Sequence, residues 1–344
     1  MNILNLWEAW PIQGPWHLTP LSGGQSSPVW RADTADGRHY ALHLILEHTR
    51  FPRLRYEATL LEALYKQQPP FLLPLPLRAH NGDIIVSFEQ DAGTMAFATL
   101  FPLLSGHLPE WNDLAIASSA GLALAWLDHA LTALPDIPLP QPLPTFGDLA
   151  HWHQYVPDPL TAVERLPIDR DRARQIRYIL TAITEKVDDL YRQLPQQMLH
   201  RDYHPNNILV ENRQVTAVLD FELAGPDLRV LDICVALSWW PYNLLGTGKE
   251  WALIDAFGRA YLACYSLSEQ ELLAFPDVFR LRNAKSLVNR MGRYFAGLDT
   301  DTHMQGRVQR LLWREAWLST HQETLLHHAL SWKSEGKRMS DVSQ

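Results

Sequence analysis

The sequence predicts an α+β protein of two lobes, an antiparallel β-sheet followed by a mainly helical lobe. Three observations predict it. Short β-prone runs separated by turn residues fill the first hundred positions, and helical periodicity takes over after SGHLPEW (105–111). A further pair of apolar β runs, 208–210 and 215–219, then sits inside the helical part.

Taken in order, 16–22, 29–34 and 39–46 read as strands, punctuated by SGGQSSP and by ADGR, a hairpin signal. A helix is expected over 52–67, where QQPP ends it. Two more strands, 83–88 and 95–103, flank EQDAG. Segments 115–134, 170–194, 249–265 and 308–329 carry helical periodicity, while 136–145 is a proline-rich connector. The simplest division is a β-rich lobe over residues 1–104 and a helical lobe over 105–344.

An apolar content of 47% argues against disorder. The formal charge of −8, with no run of Lys or Arg, argues against a nucleic-acid partner. Cys234 and Cys264 lie in apolar contexts and read as buried thiols of a reducing compartment. The N-terminus lacks a basic region and cleavage motif, and no apolar run reaches the ~18 residues of a membrane helix. A cytoplasmic protein without a membrane partner is expected; the oligomeric state is not legible.

The densest chemistry lies in MLHRDYHPNNILVENRQVTAVLDFELAG (198–225). Its two apolar runs joined by ENRQ form a hairpin pattern, with Asp202 and Asn207 on the entering loop and Asp220 where it ends. A hairpin returns the chain beside its start, which brings the three to one edge. An amide oxygen and a carboxylate there suit Mg²⁺ carrying phosphates, and the metal-free carboxylate suits a base for a hydroxyl nucleophile.

HRDYHPNNILV with LDFELAG resembles the catalytic core of the aminoglycoside phosphotransferase and choline kinase superfamily, which shares the bilobal protein-kinase-like fold. The resemblance implies ATP and Mg²⁺, with Asp202 as catalytic base, Asn207 and Asp220 as metal ligands, and His200 and Asp232 as supports of the catalytic loop. Arg201 stands where family members usually have glycine, and His-Arg-Asp is the protein-kinase spelling. A Ser/Thr kinase of the same fold therefore stays open.

In the first lobe LSGGQSSPVWRA resembles the family's phosphate-covering hairpin, with Gly23, Gly24 and Ser26 as its nucleotide contacts. Glu57 falls on the apolar face of its helix, where the resemblance implies a strand lysine as partner. Ala41-Leu42-His43 occupies that lysine's place, with Ala41 and His43 on one strand face and Tyr40, Leu42 and Leu44 on the other. Either His43 acts as an imidazolium held by Glu57, or Arg31 or Arg38 reaches in, or nucleotide binding is weak and the chain is a regulator. TLFPLLSG, with Phe101 and Leu103, resembles the interlobe hinge whose backbone reads adenine. The run LDFELAGPDLRVLDICVAL is most similar to the homoserine-kinase-like bacterial branch. Glu222, Asp227, Asn283 and Arg290 are the candidate substrate residues, the acids suiting an amine-bearing small molecule with a hydroxyl.

Overall fold

The computed structural model describes residues 3–21, 28–45, 50–89, 95–134, 137 and 143–342, with the backbone alone for Leu4 and 334–342. The chain forms two compact units, one of residues 1–107, 134–141 and 216–222, the other of 108–133, 142–215 and 223–344.

In the first unit, β1 (Trp16–Leu21), β2 (Val29–Thr34), β3 (His39–Ile45), β4 (Val86–Glu89) and β5 (Met95–Pro102) form one antiparallel sheet in the order β1-β2-β3-β5-β4. The ADGR turn closes β2 onto β3: Gly37 takes φ +78°, a left-handed value glycine adopts without strain, and its N–H donates to Thr34 O at 3.0 Å. Along β3, Tyr40, Leu42 and Leu44 are buried while Ala41 and His43 are half-buried, so the strand's two-residue period holds. The buried row joins Leu6, Trp10, Trp16, Phe88 and Leu100 in one core. Helix α1 (Phe51–Tyr65) buries Tyr56, Ala58, Leu60, Leu61 and Leu64.

The second unit contains α2 (Leu114–Thr132), α3 (Pro159–Ala162), α4 (Arg170–Gln193), β6 (Gln196–Leu199), β7 (Ile208–Glu211), β9 (Gly225–Leu228), α5 (Leu231–Leu237), α6 (Glu250–Cys264), α7 (Glu269–Leu273), α8 (Phe275–Phe295) and α9 (Asp301–Val342). The expected hairpin is present as β7 paired with β8 (Gln214–Val218). Contrary to the sequence expectation, α2 is long and apolar enough to cross a membrane; its residues are mostly buried inside the unit, where α6 packs along it. Gly121 permits that approach, since a Cβ there would lie 2.4 Å from Phe257 O. The His- and Trp-rich C-terminal segment packs against α6: Trp332 is buried and donates to Asp255 Oδ1 at 2.7 Å, and His328 stacks on Trp251 at 4.8 Å.

Asp128 of α2 and Asp232 of α5 are both fully buried. Burial raises both carboxyls, Asp128 well above its usual value and Asp232 to about 7, and the two interact through a hydrogen bond. A pair of dry acids in contact retains a proton, because two charges cannot be held so close without water. Protons kept by the folded state alone bring stability that is full below the unfolded Asp value of about 3.9 and is lost as pH rises through about 7. The melting temperature should fall between about pH 4 and about pH 7. Asp128→Asn keeps a donor without a titrating proton and should flatten that fall; an unchanged slope would mean that no proton is shared.

Candidate active site

The candidate base sits on the loop between β6 and β7, and that loop is fixed from behind. Asp232 accepts from the backbone N–H of His200 (2.8 Å) and of Arg201 (2.7 Å). The His200 ring is buried, and its Nδ1 accepts from Asp202 N at 3.2 Å. Tyr203 is buried and donates to Ala120 O of α2 at 3.0 Å. Arg201 takes φ +67°, in the left-handed region that favours glycine. Its buried guanidinium donates to Pro144 O at 2.5 Å, lies 3.4 Å from Asp227, and sits over Phe146 and Trp152 at 5.1 and 5.3 Å.

Asn207 Nδ2 donates to Asp202 O at 3.0 Å and to Asp202 Oδ2 at 3.1 Å. With its amide hydrogens directed at Asp202, Asn207 presents its other polar atom, Oδ1, as an acceptor. His204 Nε2 stands 3.6 Å from Asp202 Oδ2. Burial alone would raise the Asp202 carboxyl; the hydrogen bond and charge of His204, then Lys285 and His200, outweigh it and hold the group below its usual value. Asp202 is therefore an ionised acceptor at neutral pH. Lys285, which the sequence does not single out, is pushed down to about 7 by burial and acts on Asp202 through its charge.

Asp220 belongs to the first unit, is exposed, and takes φ +60°. It acts electrostatically on Glu57, whose carboxyl is raised to about 8, first by burial and then by Asp220 and Glu222. His43 is pushed down to about 4 by burial and then by Arg50, and its ring lies 4.8 Å from that of Phe101. Burial therefore disfavours the ionised form of both groups, against the expected imidazolium–carboxylate pair. Nor do the strand arginines substitute. Arg31 donates to Asp33 Oδ1 at 2.8 Å, and Arg38 pairs with Asp36 at 3.4 Å. The cations beside the acids are Arg50, which donates to Glu222 Oε2 at 3.0 Å, and Arg53, which donates to Glu222 O at 2.9 Å. Both lower Glu57 through their charge. Positions 50, 53 and 57 share one helical face, a spacing readable in the sequence.

Gly23, Gly24 and Ser26 lie outside the described residues. Leu103 N donates to His39 O at 3.0 Å, which leaves its carbonyl as its backbone contact. Among the substrate candidates, Asp227 is corrected. It is 0% exposed and accepts from Phe146 N (2.8 Å), Tyr191 OH (2.5 Å) and Leu228 N (2.9 Å), so it anchors the fold. Glu222 accepts from Arg50 at its side chain and from Arg53 at its carbonyl, and belongs to the first unit. Asn283 is buried and accepts from Arg282 Nη1 at 3.2 Å, while Arg290 is half-buried and within the field of Asp202. Among the described residues no group of three or more His, Cys, Asp or Glu is placed to hold a metal. Asn207 Oδ1 in the second unit and the Asp220 carboxylate in the first are each hard-oxygen donors of the kind Mg²⁺ takes.

The phosphotransferase enzyme family (APH) matches residues 17–272. The homoserine kinase of Polaromonas naphthalenivorans (strain CJ2) is 26% identical over 318 residues, covering 91% of this chain and 92% of that protein. A microcompartment-associated aminopropanol kinase superposes with a TM-score of 0.69 at 14% identity, over 94% of this chain and 97% of its own. An amicoumacin kinase in complex with AMP-PNP, Ca²⁺ and Ami gives 0.64 at 14% identity, over 89% and 91%. Antiparallel sheet, helical unit and loop geometry agree with that match: the chain belongs to the phosphotransferase enzyme family and is a small-molecule kinase.

Proposed function

We propose that the protein moves the γ-phosphate of ATP to a hydroxyl of a small molecule with the help of Mg²⁺, in the cytoplasm. The observation that carries this reading is Asp202, an ionised carboxylate pinned by Asn207 and backed by His200 and Asp232. Asp202 orients the acceptor hydroxyl and takes its proton as the new O–P bond forms and the bond to the ADP leaving group breaks. Asn207 and Asp220 would hold Mg²⁺, which would supply positive charge against the phosphates. Residues 1–104 act as the nucleotide lobe, with Gly23, Gly24 and Ser26 covering phosphates and Phe101 and Leu103 at the adenine. Residues 105–344 carry catalysis and the acceptor. Neutral His43 leaves the phosphate-binding charge to Arg50 and Arg53, the cations beside Glu57. Homoserine and amino alcohols, named by the relatives, are the first acceptors to assay.

Asp202→Asn keeps the shape but cannot accept the proton. Turnover should drop by ~10²–10⁴-fold with nucleotide affinity nearly intact, the mark of an interaction realised in the transition state. Unchanged phosphoryl transfer would sink the assignment.

Asp220→Ala should abolish the Mg²⁺-dependent part of ATP affinity in calorimetry. Parent-like binding of Mg-ATP would show that the metal ligand lies elsewhere.

Replacing both Arg50 and Arg53 by Met should raise the KM for ATP by about 10²–10⁴-fold, since each charged hydrogen bond contributes about 1.5–3 kcal/mol and two are lost. An ATP KM within twofold of the parent's would remove both arginines from the nucleotide site.

A further inference from the structure

A run of cations in the second unit starts beside the candidate base and lacks the acids that would balance it. The His204 ring, next to Asp202, lies 5.0 Å from the Trp239 ring. The guanidiniums of Arg282 (α8) and Arg314 (α9) both sit over that indole, at 5.0 and 5.5 Å, and Arg314 also lies 4.6 Å from the Tyr242 ring. Arg290 on α8 and Arg307 and Arg310 on α9 act on this pair or on one another through their charges. The acids that act on the group among the described residues are Asp202 and Asp299.

These side chains are not a solvated face. Arg282 is 6% exposed, and its one hydrogen bond among the described residues goes to the neutral Asn283. Neither Arg282 nor Arg314 has a carboxylate within ion-pair distance among the described residues. Arg314 Nε and Trp239 Nε1 are buried donors without a hydrogen-bond partner there. Burial and the neighbouring cations weaken the charged forms, taking Arg282 down to about 9 and Arg314 to about 10, which still leaves both charged near pH 7. Like charges gathered without acids, with unused donors among them, destabilise a fold unless a ligand supplies the negative charge.

We propose that Arg282 and Arg314, with the indole N–H of Trp239, bind an oxyanion of the phosphate acceptor, a carboxylate or phosphate group carried beside the hydroxyl that Asp202 activates. This rests on the phosphotransferase reading of Asp202, and it assigns the acceptor an anionic group whether or not it also bears an amine. A guanidinium fork matches the planar pair of oxygens of either group.

Two measurements on the full chain separate this assignment from that reading. Inorganic phosphate and succinate are titrated calorimetrically into the parent, Arg282→Met and Arg314→Met, with melting temperature and Mg-ATP affinity recorded for each. The parent should bind at least one anion, and each variant should bind it about 10–100-fold more weakly while melting no lower and holding Mg-ATP as before. Preference for phosphate assigns a phosphorylated acceptor, and preference for succinate a hydroxy acid. If the parent binds neither anion, or the variants bind as the parent does, the site is refuted whatever the enzyme phosphorylates. Matched acceptors are then assayed, a hydroxy amino acid against its amide and a sugar phosphate against the free sugar. The parent should favour the ionised member of one pair by about tenfold or more and lose that preference in both variants; equal use of both members refutes the proposal. Anion binding lost in the variants, with no acceptor of any kind phosphorylated, keeps the anion site and sinks the transferase reading alone.

Discussion

The second unit's chemistry hangs on one buried carboxylate. Asp232 accepts the N–H groups of two consecutive residues, His200 and Arg201, with no water to replace either bond. Those two bonds set the backbone from which Asp202 projects, and the His200 ring adds a third by accepting from Asp202 N. A dry carboxylate with two backbone donors is costly to ionise on its own. Asp128 relieves that cost by sharing a proton, and Tyr261 in turn donates to Asp128 at 2.7 Å. The position of a surface-reaching base is thus fixed by a chain of buried polar groups running back through α2, α5 and α6. Such a chain holds geometry only when each member is satisfied, since a half-made network of this kind destabilises.

Electrostatics then divides the labour between residues. Asp202 is the acid whose burial is overcome by neighbouring positive groups, so it stays ionised and able to accept a proton. Glu57 is the acid whose burial is reinforced by other acids, so it is neutral. The sequence offers no sign of this difference, because both are carboxylates beside apolar residues. What separates them is whether the adjacent side chains are Lys285 and His204 or Asp220 and Glu222.

The legible parts were those encoded in short-range pattern. Short β-prone runs between turn residues located β1, β2, β3 and β5 to within a residue or so, and the apolar runs around ENRQ located the β7–β8 hairpin. Helix α8 escaped because Arg282, Asn283 and Lys285 are buried within it, interrupting the apolar stripe that periodicity detects. Asp227 was misread because a sequence cannot tell an acid enclosed by Tyr191, Phe146 and Arg201 from one that faces solvent. The sequence reading did not single out Arg50 and Arg53. Only the return of the chain at Glu222, 172 positions after Arg50, gives them acidic neighbours.

Arg201 shows how such a long-range effect can mimic a family signature. At φ +67° a residue with a Cβ carries local strain of order 1–3 kcal/mol that glycine would avoid. The guanidinium offsets it: one hydrogen bond to Pro144 O, an ion pair with Asp227, and two aromatic faces beneath the charge. Those partners come from segments that the sequence places far from the loop, so the arginine joins the loop to the 144–152 segment and to β9. His-Arg-Asp in this chain therefore has a structural cause within its own second unit. The spelling shared with protein kinases needs no protein substrate to account for it.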